Sequence, residues 1–240
     1  MSRVLGLAYA LIAYVGFMGW MVYMIGFLGH FPVPKSVNSG QSGSMWEAVL
    51  VNSLMVALFA VQHTIMARPK FKQWVMRIIP NHLERSTFVF ITDVIAWFLI
   101  WQWRPIEGVV WHVHGFAAYA LTGVSILGWA IVCLGSFLIN HFELLGLEQA
   151  WHYFRGTKPK RVVFVTRGLY KYVRHPLMLG FLIFFWATPY MTASHLCFSA
   201  LFTIYVLFGT RVEERDLLKY HPEEYGNYMK EVPGLIPFTK

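Results

Sequence analysis

Long apolar blocks, rather than alternation, organise this chain. Six stand out, at roughly 4–29, 46–67, 86–103, 116–139, 176–191 and 193–211. The first four are long enough to cross about 30 Å of hydrocarbon as helices. The last two are short and meet at Pro189-Tyr190-Met191-Thr192, which predicts a tight helical hairpin; a single interrupted element is the competing description. Two shorter stretches read as amphipathic segments lying on the membrane surface. Residues 70–80, KFKQWVMRIIP, alternate basic and apolar positions at helical spacing, and Pro80 ends the pattern. Residues 142–154, FELLGLEQAWHYF, form the second. The expected fold is therefore an all-α integral membrane protein of about six transmembrane helices, one membrane domain over residues 1–240. The apolar run at the N-terminus continues to about Leu28 without a small-residue cleavage site, so it reads as a retained first helix.

Composition agrees with lipid as the main solvent: 57% of residues are hydrophobic and only 13% charged, with a mean hydropathy of +0.49. The ten tryptophans fit interface belts and packed helix seams. A net charge of +8 would suggest nucleic acid on a soluble surface. Here the basic residues flank apolar blocks and form no interleaved basic–aromatic face, which excludes that partner. Eighteen of the twenty basic residues fall at the N-terminus, between the second and third blocks, between the fourth and fifth, and after the sixth. Lys35 and Arg104 are left on the other side. The positive-inside rule then puts both termini, the long loop before residue 176 and the C-terminal tail in the cytoplasm, which needs an even number of crossings. Cys133 and Cys197 lie within apolar blocks and read as small hydrophobes, with neither a disulfide framework nor metal spacing. No metal site is expected from the histidines either. His30, His112, His114 and His195 fall on the outer side, and His112 and His114 at i, i+2 do not share a helix face.

The chemistry-bearing residues sit in the loop VTRGLYKYVRHPLMLG (165–180) and the tail EERDLLKYHPEEYGNYMKEVPGLIP (213–237). Pro176 suits the first position of a helix, and the first-turn N–H groups with Arg174 and His175 form an anion site. Gly180, one turn on, lets a ligand or a helix approach closely. Simple anchoring of Arg174 and His175 in the lipid headgroups is the plain alternative. Glu213, Glu214 and Asp216 close the last block opposite this cationic loop and need pairing partners or a cationic ligand. Tyr225, Tyr228 and the closing VPGLIP can fold the tail back over the membrane surface. A ligand with an anionic end and a cationic centre matches both clusters, and S-adenosylmethionine is such a molecule. Candidate bases lie at the inner ends of blocks: His63, with Gln62 beside it and Arg68 just beyond, and Asn140, His141 and Glu143. Asp93 sits mid-block, placed to pair with a neighbouring helix or with Arg68.

The run Val165-Thr166-Arg167-Gly168-Leu169-Tyr170, then Arg174-His175-Pro176 and Gly180, resembles the signature of the isoprenylcysteine carboxyl methyltransferase superfamily. The likeness continues through Glu213-Glu214, Leu217, Tyr225, Tyr228 and the Val232-Pro233 to Ile236-Pro237 ending. It covers about the last 75 residues and is specific as a set. Upstream, VPKSVNSG (33–40), LFAVQHTIMARPKFK (58–72), ERSTFV (84–89), WQWRP (101–105) and FLINHFELLGL (137–147) resemble one branch, the bacterial methanethiol S-methyltransferases. That resemblance implies an enzyme of the inner (plasma) membrane that methylates methanethiol to dimethyl sulfide with S-adenosylmethionine, without an obligate protein partner. It implies a cofactor set of Tyr170, Arg174, His175, Pro176, Gly180, Glu214 and Leu217, with residues 141–240 as the cofactor half and 1–140 as a four-helix substrate half. Catalytic roles are expected, from position rather than from this resemblance, of His63, His141, Glu143 and Arg68. One departure is informative. The prenylcysteine enzymes carry an Arg five residues before the second Glu of the pair; here that position is Gly209 and the nearest Arg is Arg211. This argues against a carboxylate substrate. A sibling enzyme for prenylcysteine, a phospholipid amine or another small thiol, and a non-catalytic haem- or ion-handling protein, are the alternatives.

Overall fold

The computed structural model describes residues 2–29, 31–41, 43–158, 166–237 and 239. His30 and Val165, named above, and Lys160, Arg161 and Lys240, among the eighteen basic residues counted, lie outside the described residues. In chain order the helices are α1 (Arg3–Gly29), α2 (Met45–Met66), α3 (Pro69–Val75), α4 (Glu84–Gln102), α5 (Gly115–Ile139), α6 (His141–Leu144), α7 (Leu147–Arg155), α8 (Pro176–Trp186), α9 (Ala193–Tyr220) and α10 (Pro222–Glu231). An antiparallel ribbon joins β1 (Val109–His112) to β2 (Tyr190–Thr192). Among the described residues four helices, α1, α2, α5 and α9, are long and apolar enough to cross a membrane. The first four expected blocks thus appear as helices within two residues of their expected bounds.

Packing groups the chain into two units. The first holds Met1–Ile106 with Asn140–Val162. In it α4 packs against both α1 and α2. Ring contacts run Tyr9–Phe90, Tyr23–Trp97 and Phe27–Trp103. Residue numbers rise together along both helices, so α1 and α4 run parallel, with α2 returning the chain between them. Asn52, fully buried, donates from Nδ2 to the Arg104 carbonyl (2.8 Å) and accepts from its N–H (2.9 Å), fixing the segment that leaves α4. The surface segments are shorter than expected. α3 stops at Val75, five residues before Pro80. The stretch 142–154 is broken at Gly146, which has φ +84°, and a Cβ there would stand 2.5 Å from the Ser86 nitrogen. Only glycine fits, and the turn it makes separates α6 from α7.

The second unit holds Glu107–Ile139 with Val163–Lys240. Its centre is the pairing of α5 with α8. A Cβ on Gly180 would lie 2.6 Å from the Gly128 carbonyl oxygen, and one on Gly128 2.8 Å from that of Gly180. Two bare backbones therefore meet, the small-residue contact that lets membrane helices approach closely. The expected block 176–191 is helical only to Trp186. Eleven residues rise about 16 Å, half of the hydrocarbon thickness. From Ala187 the chain runs extended into β2, which pairs with β1 just ahead of α5. Leu177 lies near Gly135 at one end of α5 and Tyr190 pairs with His112 beyond the other. Helix plus strand thus travel the length of α5.

The ribbon is the departure from an all-α fold: its strand β2 forms the connection between α8 and α9, where a tight helical hairpin was expected. The Pro189 carbonyl accepts from Val113 N–H (2.8 Å) and the Gly108 carbonyl from Ala193 N–H (2.9 Å), extending the pairing at both ends. The Phe185 carbonyl, in the last turn of α8, accepts from both His195 Nε2 (2.9 Å) and Ser199 Oγ (2.8 Å) of α9. His195 is therefore a buried capping group. The strand also changes the geometry of His112 and His114, whose ring centroids are 3.9 Å apart. Residues two apart share a face on extended chain though not on a helix.

Candidate functional site

In the second unit, α9 runs on to Tyr220, well past the expected end at residue 211. Its buried stripe, Ser199, Phe202, Val206 and Thr210, repeats every three to four residues. The next step of that stripe is Glu214, so the helix aims this carboxylate inward and leaves Glu213, 48% exposed, at the edge. Glu214 Oε1 accepts from Arg174 Nε (2.8 Å), from the second terminal guanidinium nitrogen of Arg174 (2.6 Å) and from His175 Nε2 (2.9 Å). The other face of His175 is 3.6 Å, Nδ1 to Oε2, from Glu213. All three members of this cluster are largely buried: side-chain exposures are 17% for Glu214, 10% for Arg174 and 6% for His175.

The tail closes over it. Arg174 N–H donates to the Pro233 carbonyl (2.9 Å) and His175 N–H to that of Gly234 (3.1 Å). The remaining terminal nitrogen of Arg174 donates to the carbonyls of Val232 and, at 3.4 Å, Met229. Arg174 therefore ties loop, last helix and tail together. His175 takes the N-cap position of α8 with Pro176 at its first residue, where proline's missing N–H costs nothing. Tyr228 of α10 donates its hydroxyl to the Tyr170 carbonyl (2.6 Å), and Tyr225, Tyr228 and Val232 form an apolar cluster with Leu217 against it. Burial raises the Tyr170 phenol, helped by the negative charge of Glu213. Burial pushes Tyr228 up to about 12 against the opposing pull of Arg174. Both rings stay neutral, and Tyr228 stays a donor.

The structure thus brings Tyr170, Arg174, His175, Pro176, Glu214 and Leu217 into one assembly. Gly180 lies one turn further along α8, where its missing side chain faces Gly128 of α5. The anchors missed from sequence are backbone atoms, the carbonyls of Met229, Val232, Pro233 and Gly234. Main-chain partners carry no residue-type signal; only the VPG run hinted at a rigid return.

The other candidates lie in the first unit. The His63 ring stacks on Phe59 (5.6 Å) and meets Phe88 edge-on (5.0 Å). Arg68 Nε donates to the Thr64 carbonyl at the end of α2 (3.0 Å). His141 is 7% exposed, with Nε2 3.1 Å from the Tyr14 hydroxyl, and burial holds its pKa below the ordinary imidazole value. Tyr14 and Phe88 pack into the same apolar cluster with Met66 and Leu145, so His63 and His141 flank one patch of core. Glu143 accepts from Asn140 Nδ2 (3.3 Å), which also reaches Glu148 (2.5 Å). Burial, then repulsion from Glu148, raises the Glu143 carboxyl above its usual range. Tyr14 and Glu148 had no motif to mark them. Asp93 faces α1, beside Gly16.

Residues 41–232 match the family described as "Protein of unknown function (DUF1295)". Among curated proteins, the chain is 47% identical over 236 residues to methanethiol S-methyltransferase 2 of Bradyrhizobium diazoefficiens, covering 98% of this chain and 91% of that one. It is 43% identical to methanethiol S-methyltransferase of Mycobacterium tuberculosis, covering 99% and 98%. For the protein of that name from Crocosphaera subtropica the figures are 41%, 99% and 94%. No solved structure matches. The chain belongs to the DUF1295 family and groups there with the proteins named methanethiol S-methyltransferase.

Proposed function

We propose that the protein is an enzyme that moves a methyl group from S-adenosylmethionine to methanethiol, giving dimethyl sulfide and S-adenosylhomocysteine. The observation that carries this reading is the tail-closed cluster of Arg174, His175 and Glu214 in a chain so similar to the methyltransferases above. The donor set fits the cofactor. Glu213, half-exposed beside His175, complements an ammonium or sulfonium, and neutral aromatic faces at Tyr170 and Tyr228 suit the same cation. Tyr170, Arg174, His175, Pro176, Gly180, Glu214 and Leu217 would hold the cofactor, which supplies an electrophilic methyl on sulfur.

The chain's own work is to position, dry and deprotonate. Arg174 fixes the tail as a cover, and excluding water strengthens every charge interaction beneath it. Thiolate, not thiol, is the nucleophile, so a proton must leave the substrate. His141 is one proposed acceptor: burial lowers its pKa, which favours the unprotonated ring, and its Nε2 lies 3.1 Å from the Tyr14 hydroxyl. His63, in its ring of phenylalanines, is the second, with the Arg68 cation close by in sequence. Glu143, whose carboxyl is raised by burial, is the proposed group to carry that proton onward. Gly209 stands where a carboxylate-binding Arg would be, which favours a small uncharged acceptor. We further place both termini, the loop and the tail in the cytoplasm of an inner membrane crossed six times, by α1, α2, α4, α5, the α8–β2 segment and α9.

Purified protein in lipid nanodiscs, given methyl-deuterated S-adenosylmethionine and methanethiol, should release deuterium-labelled dimethyl sulfide on gas chromatography–mass spectrometry. No labelled product, with cofactor binding intact, sinks the proposal.

A further inference from the structure

Halfway along α4, nine residues from either end, Asp93 is 5% exposed, and its Oδ2 has no hydrogen-bond partner among the described residues. It points at α1: a Cβ on Gly16 would lie 3.1 Å from that oxygen. The indole Nε1 of Trp20 is also buried without a partner. Gly16, Trp20 and Tyr23 fall at i, i+4 and i+7, one stripe of a helix. The two ends of that stripe meet α4, at Gly16–Asp93 and at Tyr23–Trp97. Trp20 lies between them on the same seam.

A buried polar group left unmatched costs about 1–3 kcal/mol, and this seam carries two, an indole donor on α1 and a carboxylate acceptor on α4. The other polar groups nearby are already engaged. Thr92 donates to the Phe88 carbonyl (2.8 Å) and receives Gln62 Nε2 (3.2 Å). The Tyr23 hydroxyl is held by both backbone groups of Lys35. An acidic residue at such depth in a membrane protein marks a functional site by default.

We infer that the α1–α4 seam is a binding site for a small neutral thiol. The S–H donates to Asp93 Oδ2 and the sulfur accepts from Trp20 Nε1, beside the bare backbone of Gly16. The pair is matched to a molecule with one donor and one acceptor and no net charge. The identity of the thiol as methanethiol rests on the proposed function.

The test titrates full-length protein in lipid nanodiscs with methanethiol, without cofactor, and reads the carboxyl region by infrared difference spectroscopy. A thiol-dependent carboxyl band is expected, absent in Asp93→Asn and weakened in Trp20→Phe. Turnover should show KM for methanethiol raised about tenfold or more in Asp93→Asn, as for a lost buried hydrogen bond, with KM for S-adenosylmethionine unchanged. Gly16→Ala keeps both polar groups and should raise the thiol KM alone. No thiol-dependent band in the wild type, or the same band in Asp93→Asn, overturns the inference. If Asp93→Asn does not fold, unchanged thiol affinity in both Trp20→Phe and Gly16→Ala overturns it. A band without any dimethyl sulfide leaves the seam standing and removes the methyl-transfer reading; dimethyl sulfide without a band removes the seam alone.

Discussion

Replacing Glu214 with alanine tests whether the ion cluster holds the tail over the site. One oxygen, Oε1, receives three hydrogen bonds between 2.6 and 2.9 Å, two from Arg174 and one from His175. Removing one partner of a buried pair costs about 3–5 kcal/mol, mostly from the charge left behind. Here the cluster touches the surface on the Glu214 side, and Arg174 keeps the carbonyls of Val232 and Met229. The low end applies, about 3 kcal/mol, or a factor of roughly 100 in the ratio of closed to open tail. Hydrogen exchange by mass spectrometry over residues 222–237 reads that ratio directly. Exchange should accelerate strongly in Glu214→Ala and less in Glu214→Gln, whose amide oxygen still accepts. Calorimetric affinity for S-adenosylmethionine should fall in the same order. Unchanged exchange in Glu214→Ala would show that the apolar cluster of Leu217, Tyr225 and Tyr228 holds the tail alone, and the cluster would lose its closing role.

Gly180→Ala should lower the thermal midpoint in nanodiscs by several degrees. Its Cβ would meet the backbone of Gly128 and Val132 at 2.6 and 2.9 Å, and overpacking of this kind costs about 1–3 kcal/mol. An unchanged midpoint with weaker cofactor binding would instead assign the glycine to the ligand. Glu143 gives a pH prediction. Its carboxyl is raised above 4.5 in the folded protein, so the folded state binds the proton more tightly than the unfolded chain. That contribution is present in full below pH 4.5 and is lost as pH rises through the folded value. Over that window the wild-type midpoint should fall relative to that of Glu143→Gln; parallel curves would show that the site is not desolvated.

Much of the fold was legible because lipid imposes a single rule. Backbone polar groups must be satisfied within the segment, so a long apolar run is a helix whatever its neighbours are. α1, α2, α4 and α5 follow from that rule directly. It fails at residues 187–192, where pairing with β1 satisfies the backbone from outside the segment. No local pattern in FFWATPYMT announces a partner some 80 residues earlier. The break at Gly146 was hidden for the same reason: FELLGLEQAWHYF has helical periodicity throughout, and what stops the helix is the nitrogen of Ser86. The pairing of α5 with α8 through Gly128 and Gly180 was half legible, since each glycine was visible and their meeting was not.

The candidate site was legible in its side chains and not in its main chain, and this difference says what the cluster is for. A site made only to bind an anion would leave the Arg174 guanidinium turned toward the ligand. Instead Glu214 and two tail carbonyls take its donors, while Glu213 stays half-exposed beside His175. The cation acts as a latch, and we propose the half-exposed Glu213 carboxylate as the group a ligand would meet. That assignment suits the positive end of S-adenosylmethionine, with Arg174 serving the proposed cofactor site by holding the tail over it. The consequence is measurable: Glu213→Gln should weaken cofactor affinity while leaving exchange in residues 222–237 unchanged, whereas Arg174→Lys should accelerate that exchange first. The opposite assignment of effects would return Arg174 to the ligand and leave the tail closed by its tyrosines.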